Sequence, residues 1–235
     1  MREIVDLKVT QVRLYPIDVL PLTLLLVEKN LAPFRESLRF KSASAREAKP
    51  ERAIIEFLGG EFEHQGKAHL VDRLTIESQR VTLVLYGTSA TADAFYEEVR
   101  KIVAAADPEV GFPKSGPYVK VDETSCIVTL DVDFRKLFAP ALVKFLEKTV
   151  RTRTSTDFAS SDVLPARFSA RVAYELVNPD LRKAGIRLVD KTLTIEPRVT
   201  TRPEERRYYT LSPTDSETHL ALLREFEKAF KGPKK

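Results

Sequence analysis

Leu70-Val-Asp-Arg-Leu-Thr-Ile-Glu-Ser-Gln-Arg-Val-Thr82 returns later in the chain as Leu188-Val-Asp-Lys-Thr-Leu-Thr-Ile-Glu-Pro-Arg-Val-Thr200. Both blocks span 13 residues, and their offset is 118 in a chain of 235. Leu74 and Ile76 alternate with Arg73, Thr75 and Glu77, the period of a strand with one buried face. Ser78-Gln79-Arg80 then turns the chain into a second strand, Val81 to Tyr86, which Gly87 stops. A strand-turn-strand block that occurs twice points to a duplicated unit. Its two copies are expected at residues 1–110 and 118–235, with a boundary at 107–117, which holds three prolines and two glycines.

The first half reads, in order, as follows. Residues 4–19 form a strand region with broken alternation: Val5, Leu7 and Val9, then Val12 and Leu14. Pro21 suits the first turn of a helix running to about residue 32, which Pro33 would end or kink, with a strand as the competing reading for 22–27. Residues 41–52 are polar, lack a core face and are predicted to be a loop. A strand at 53–58 leads to Gly59-Gly60, a pair that suits a hairpin turn. After the repeated block, Ala92, Phe95, Val99, Ile102 and Val103 recur at helical spacing, which predicts a helix from near Thr88 to Asp107.

In the second half, Cys126, Val128, Leu130, Val132 and Phe134 lie on one face of the clearest strand, with Asp131 and Asp133 on the other. A helix over 135–150 and an exposed loop over 151–165 are expected next. Phe168, Ala170, Val172, Tyr174 and Leu176 mark a half-buried strand, and Asn178-Pro179-Asp180 a turn. Pro203-Glu-Glu tips a hairpin, and Ser212-Pro213 opens a last helix with Leu220, Leu223, Phe226 and Phe230 toward the core.

Each half therefore reads strand, helix, three or four antiparallel strands, helix. That order gives an α+β fold with an open antiparallel sheet and helices on one face. In element order it resembles the duplicated saddle of the TATA-box-binding protein, and also helix-grip folds. In the former, an apolar sheet face carries Phe wedges for the DNA minor groove. Here the corresponding positions include Arg73, Thr75, Glu77, Arg167, Arg171, Glu175, Thr194 and Glu196, a polar face of mixed sign.

Composition narrows the function. There is no apolar run long enough to span a membrane. The opening Met1-Arg-Glu-Ile-Val-Asp is unlike a signal peptide, and with a single cysteine a cytoplasmic location is expected. Only three Gln and two Asn occur beside many Arg and Glu, a thermophile-like bias. The net charge of +4 is uneven. Residues 1–117 carry 16 Lys and Arg against 17 Asp and Glu, whereas 118–235 carry 22 against 17.

Catalytic material is thin. Three histidines and one cysteine leave little for a triad, and no glycine-rich phosphate loop occurs. Cys126 sits on an apolar strand face, where an inert buried thiol is expected. Glu61, Glu63, His64 and His69 share a hairpin without metal-ligand spacing. Arg198, Arg202, Arg206 and Arg207, with Tyr208 and Tyr209, crowd another hairpin, where arginine and aromatics suit phosphate contact and base stacking. The leading expectation is a non-enzymatic binding protein whose duplicated sheet contacts a macromolecule, protein or nucleic acid, with no cofactor. The alternative is an enzyme or small-ligand carrier with a cavity between sheet and helices and an acidic pair, Asp131 and Asp133. A homodimer joined through a sheet edge is the third reading.

Overall fold

The computed structural model describes residues 1–16, 20, 28–46, 53–106, 117, 119–150, 167–173, 179–183, 190–198, 201 and 203–231. It holds nine strands in one antiparallel sheet: β1 (Ile4–Leu14), β2 (Ser42–Arg46), β3 (Ile54–His64), β4 (Lys67–Ile76), β5 (Arg80–Tyr86), β6 (Val119–Thr129), β7 (Phe168–Val172), β8 (Lys191–Pro197) and β9 (Arg207–Ser212). Their spatial order is β2-β3-β4-β5-β1-β6-β9-β8-β7, so β1 and β6 are neighbours at the centre. The helices are α1 (Glu28–Ser37), α2 (Ser89–Ala106), α3 (Pro140–Phe145), α4 (Pro179–Lys183) and α5 (Ser216–Phe230). None among the described residues is long and apolar enough to cross a membrane.

The pleat sorts the side chains. Val9, Leu74, Ile76, Val81, Leu83 and Leu85 point to one face, where Phe95 and Val99 of α2 and Phe34 of α1 meet them in one buried cluster. On the same face, beyond the β1–β6 seam, Cys126, Val128, Ile195 and Tyr208 pack with Leu223 of α5. Leu130, Val132 and Phe134 join this second cluster although β6 ends at Thr129, so the predicted strand is correct in its buried face and too long in its ladder.

The N-termini of α2 and α5 are tied to each other. The Ser89 N–H donates to Ser216 Oγ at 2.9 Å, and the Ser216 N–H donates to Ser89 Oγ at 3.0 Å. Each serine thus satisfies an amide at the start of the other helix, a need every helix N-terminus has. Asp215, not Ser212, caps α5, accepting from the Thr218 N–H at 2.9 Å. Ser212 is instead the last residue of β9.

Several local expectations are corrected. Residues 42–46 form the edge strand β2 rather than a loop. Ser-Ala-Ser-Ala-Arg offers no apolar alternation, and the pairing with β3 supplies what the pattern lacks. Pro33 lies inside α1. A proline there costs about 3 kcal/mol, but burying Phe34, Leu31 and Leu38 contributes about 1.5–3 kcal/mol for each side chain. Gly59-Gly60 is not the hairpin turn, because β3 runs through it to His64. The two-residue turn is Gln65-Gly66, with φ of 51° and 71°, the positive pair that a type I′ turn requires. Gly60 has a packing reason: a Cβ there would lie 2.6 Å from the Phe40 ring.

The helix predicted over 135–150 is broken. It comprises a 3₁₀ turn at Phe134–Leu137, then α3, then a π turn at Leu146–Val150. Pro140 cannot donate within a continuous helix and begins a new one instead. Leu137 and Phe138 pack on the core, but Leu142 and Phe145 are 43% and 52% exposed. Of the helix expected from residue 21 to about 32, residues 28–32 are helical and belong to α1; its earlier part, the boundary at 107–116, the loop at 151–165 and the positions of Tyr174 and Glu175 lie outside the described residues.

Candidate binding surface: the open face of the sheet

All the helix packing just described, by α1, α2 and α5, falls on one side. Among the described residues, neither buried cluster reaches the other side of the nine-stranded sheet. Register and pleat give its composition. Across the central seam, Leu14 pairs with Val119, Val12 with Val121, Thr10 with Glu123, Lys8 with Ser125, and Val5 with Ile127. On the flanks, Val84 pairs with Thr10, Tyr86 with Lys8, Leu211 with Ser125, and Tyr209 with Ile127.

The open face therefore carries two apolar groups. One is Val12, Leu14, Val119 and Val121. The other is Val5, Ile127, Tyr209 and Leu211. A shallow trough of ≈ 480 Å³ is lined by Lys8, Thr10, Tyr86, Glu123 and Ser125 and by Ile127, Tyr209 and Leu211 of the second group. The residues of both groups are half-buried, and Val84 and Thr194 on the same face are buried, whereas Ile54, Leu58 and Leu70, farther out on β3 and β4, are exposed.

A bulge shapes the trough. The β1–β6 register shifts between Val5 and Lys8, and Asp6 takes a φ of 53° there. An extra residue on one strand re-aims its neighbours. Leu7 and Val9 keep to the helix side, while Val5 and Val12 face outward. This is the cause of the broken alternation in the sequence.

Among the described residues, most charges of the open face are matched in pairs, Asp6 at the trough being the exception. Lys8 bridges Asp72 at 2.9 Å, Lys191 bridges Glu123 at 2.9 Å, and Arg167 bridges Glu196 at 2.9 Å. Arg73 lies 3.9 Å from Glu56, Arg171 meets Asp190, and Lys8 also stands over the Tyr86 ring at 5.2 Å. Exposed pairs of this kind add little stability, but they neutralise the face from within.

The arginine hairpin does not come together as one patch. Tyr208 is only 3% exposed, with its hydroxyl donating to the Val132 carbonyl at 2.7 Å, and burial pushes its pKa up to about 12. Tyr209 and Arg207 point to the opposite, open face. Arg206 pairs with Asp131, and Arg207 lies 3.5 Å from Glu3. Arg198 is half-buried, its N–H donating to the Arg207 carbonyl at 3.0 Å, and Arg202 lies outside the described residues.

The other candidates also separate. Asp131 is engaged by Arg206 and Lys231, whereas Asp133 caps the 3₁₀ turn by accepting from the Arg135 N–H at 3.2 Å. Glu61 faces Arg39 at 3.1 Å, His64 stacks on Phe62, and His69 Nδ1 lies 3.1 Å from the Tyr86 carbonyl. No group of three or more His, Cys, Asp or Glu among the described residues is placed to hold a metal ion.

Two buried polar clusters were not anticipated. Cys126, 1% exposed, has Sγ 3.6 Å from His219 Nε2, and His219 also meets Thr210 Oγ1 at 3.0 Å and Ser212 Oγ at 2.6 Å. Burial pushes the thiol pKa up and the imidazole pKa down to about 4, so both groups are neutral at pH 7. A neutral thiol sealed from solvent is a poor nucleophile, and the cluster is a satisfied core network. In the other half, Arg13 lies 3.8 Å over the Tyr96 ring and 2.7 Å from Asp93, which Gln11 and Lys120 also reach. Asp93 has its pKa lowered: its burial opposes this, but hydrogen bonds from Lys120 and Gln11 and the charges of Lys120 and Arg13 outweigh it. Gln11 and Arg13 are strand residues on the buried face, a break in apolar patterning that could have flagged this cluster.

No family model matches this chain, and neither a curated protein nor a solved structure matches it.

Proposed function

We propose that this is a non-enzymatic binding protein built by tandem duplication, which docks a macromolecule on the open face of its sheet. The observation that carries the reading is that face itself: a sheet with two apolar groups at its centre that belong to neither buried cluster among the described residues. All eight residues of these groups are half-buried, and contiguous apolar surface left partly open to solvent marks interaction sites.

Three registers support the duplication of 1–110 in 118–235. Val9 pairs with Thr124, and 124 − 9 = 115; around that pair, Lys8–Ser125 and Thr10–Glu123 interchange under the same offset. Leu85 pairs with Val9 as Ser212 pairs with Thr124, and 212 − 85 = 127. The reciprocal serines give the same offset, 216 − 89 = 127. Leu74 and Leu193 both lie in the third strand from the centre. By pairing, Leu74 corresponds to Ile195, so the sequence blocks sit two residues off register, an even shift that keeps each side chain on its face. The strand order fits the saddle arrangement of the TATA-box-binding protein. The open face departs from that protein's, since none of its described positions named above is a phenylalanine and most of its charges are already paired.

Charge pairing favours a protein partner over nucleic acid, whose phosphates call for unmatched Lys and Arg. Affinity capture from the source cell tests the reading. Wild type should recover a partner that Val121→Glu, on the open face, loses and that Leu222→Glu, on the outside of α5, keeps. Capture unaffected by Val121→Glu would refute it. A gel shift at about 50 mM salt, the condition most favourable to phosphate contacts, decides the nucleic-acid branch.

A further inference from the structure

We infer that a second copy of this chain occupies the open face, the two sheets packing face to face; the inference rests on the docking reading above. The Val12–Val121 pair and the Val5–Ile127 pair lie on either side of the Val9–Thr124 position, about which the seam's register is symmetric. From Val121 to Ile127 is six residues along β6, or about 20 Å at roughly 3.3 Å per residue. A copy turned onto the face presents the same two apolar groups at the same separation. Both therefore meet apolar counterparts at once, as an isologous interface requires. An unrelated partner would have to be shaped to that separation.

Charge points the same way. Lys8–Asp72, Lys191–Glu123, Arg167–Glu196 and Arg171–Asp190 are each matched within one face. Such a face repels neither sign and meets a copy of itself without a like-charge excess. A strongly basic or acidic partner gains nothing from it.

Area agrees as well. Nine strands at about 4.8 Å spacing, some 20 Å long, outline roughly 850 Å². A stable interface of standard size uses about 800 Å² from each partner. The polar troughs would lie opposite each other at the centre, where bridging water satisfies Thr10, Glu123 and Ser125.

Sedimentation velocity on the purified full chain, from about 1 to 100 μM, tests this, since interfaces of this size reach micromolar affinity or better. A dimer is expected. Val12→Glu and Ile127→Glu, made separately, should each raise the dissociation constant about a hundredfold or more, while Leu222→Glu leaves it unchanged. Should a glutamate variant fail to fold, the β-branched replacements Val12→Thr and Ile127→Thr should still weaken the dimer measurably. A wild-type chain that stays monomeric throughout, or a dimer indifferent to all four open-face substitutions, overturns the inference. A monomer whose captured partner is still lost in Val121→Glu sinks self-association alone. Capture that survives Val121→Glu removes the docking reading as well.

Discussion

His219 should make the stability of this protein depend on pH in a defined window. Its imidazole is fully buried on the inner side of α5, between Thr210, Ser212 and Cys126. Burial lowers its pKa from 6.5 to about 4. Between those values the unfolded chain binds a proton that the folded chain refuses, so stability rises with pH across the window and levels off above about 6.5. The full effect is on the order of 3 kcal/mol, because one pKa unit corresponds to about 1.4 kcal/mol. Against a typical total of about 5–15 kcal/mol this is large. Urea unfolding of wild type and His219→Gln, followed by circular dichroism in steps from pH 7.5 to 4.5, isolates it. Asp93, Asp215 and Glu227, whose pKa values are lowered in the folded state, withdraw stability only as pH falls into and below the ordinary carboxylate range. They contribute equally to both proteins and drop out of the difference. At pH 7 the variant should be the less stable, by about 1–3 kcal/mol, for loss of a buried hydrogen-bond network. The gap should then shrink as pH falls. Two curves that stay parallel throughout would refute a buried, neutral His219.

Other substitutions test the packing. Gly60→Ala should destabilise by about 1–3 kcal/mol in thermal melts, since its Cβ would meet the Phe40 ring at 2.6 Å and the Leu38 carbonyl oxygen at 2.8 Å. Ser89→Ala and Ser216→Ala should each cost about 1 kcal/mol and show a coupling of about 0.5 kcal/mol or more in a double-mutant cycle; strict additivity would mean that the two helix starts do not cap each other. Cys126 in native protein should resist thiol reagents, reacting only as the chain unfolds. Labelling at the rate of denatured protein would contradict its burial. Cys126→Ser should cost roughly 1–3 kcal/mol.

Much of the architecture was readable where side chains alternate without interference. Leu74 and Ile76, and Cys126 and Val128, are on the buried face as their spacing predicts, and α2 follows its apolar stripe from Ala92 to Val103. The misreadings have physical causes. β2 is held by backbone pairing to β3, and Ser-Ala-Ser-Ala gives no hydrophobic period to detect. Pro33 obeys the packing of Phe34 rather than its own preference. Gly59-Gly60 has turn composition but accommodates Phe40. The candidate sites were less legible. The arginine hairpin reads as one patch in sequence, yet consecutive strand residues face opposite ways, which puts Tyr208 in the core and Tyr209 outside. The apolar groups of the open face arise only when β1 lies beside β6, 115 residues apart in sequence. Their one local trace was the broken alternation from Val5 to Leu14.

Covalent footprinting of the open face tests the central claim most directly. Tyr86 and Tyr209 flank the central trough, while Leu222 and Phe230 are exposed residues of α5 on the helix-bearing side. Hydroxyl-radical labelling would be compared between dilute chain and chain saturated with its bound partner, whether a second copy or a captured protein. Tyr86 and Tyr209 should lose most of their labelling on binding while Leu222 and Phe230 keep theirs. Protection of Leu222 and Phe230 with the two tyrosines still fully labelled would place the interface on the helices and contradict it.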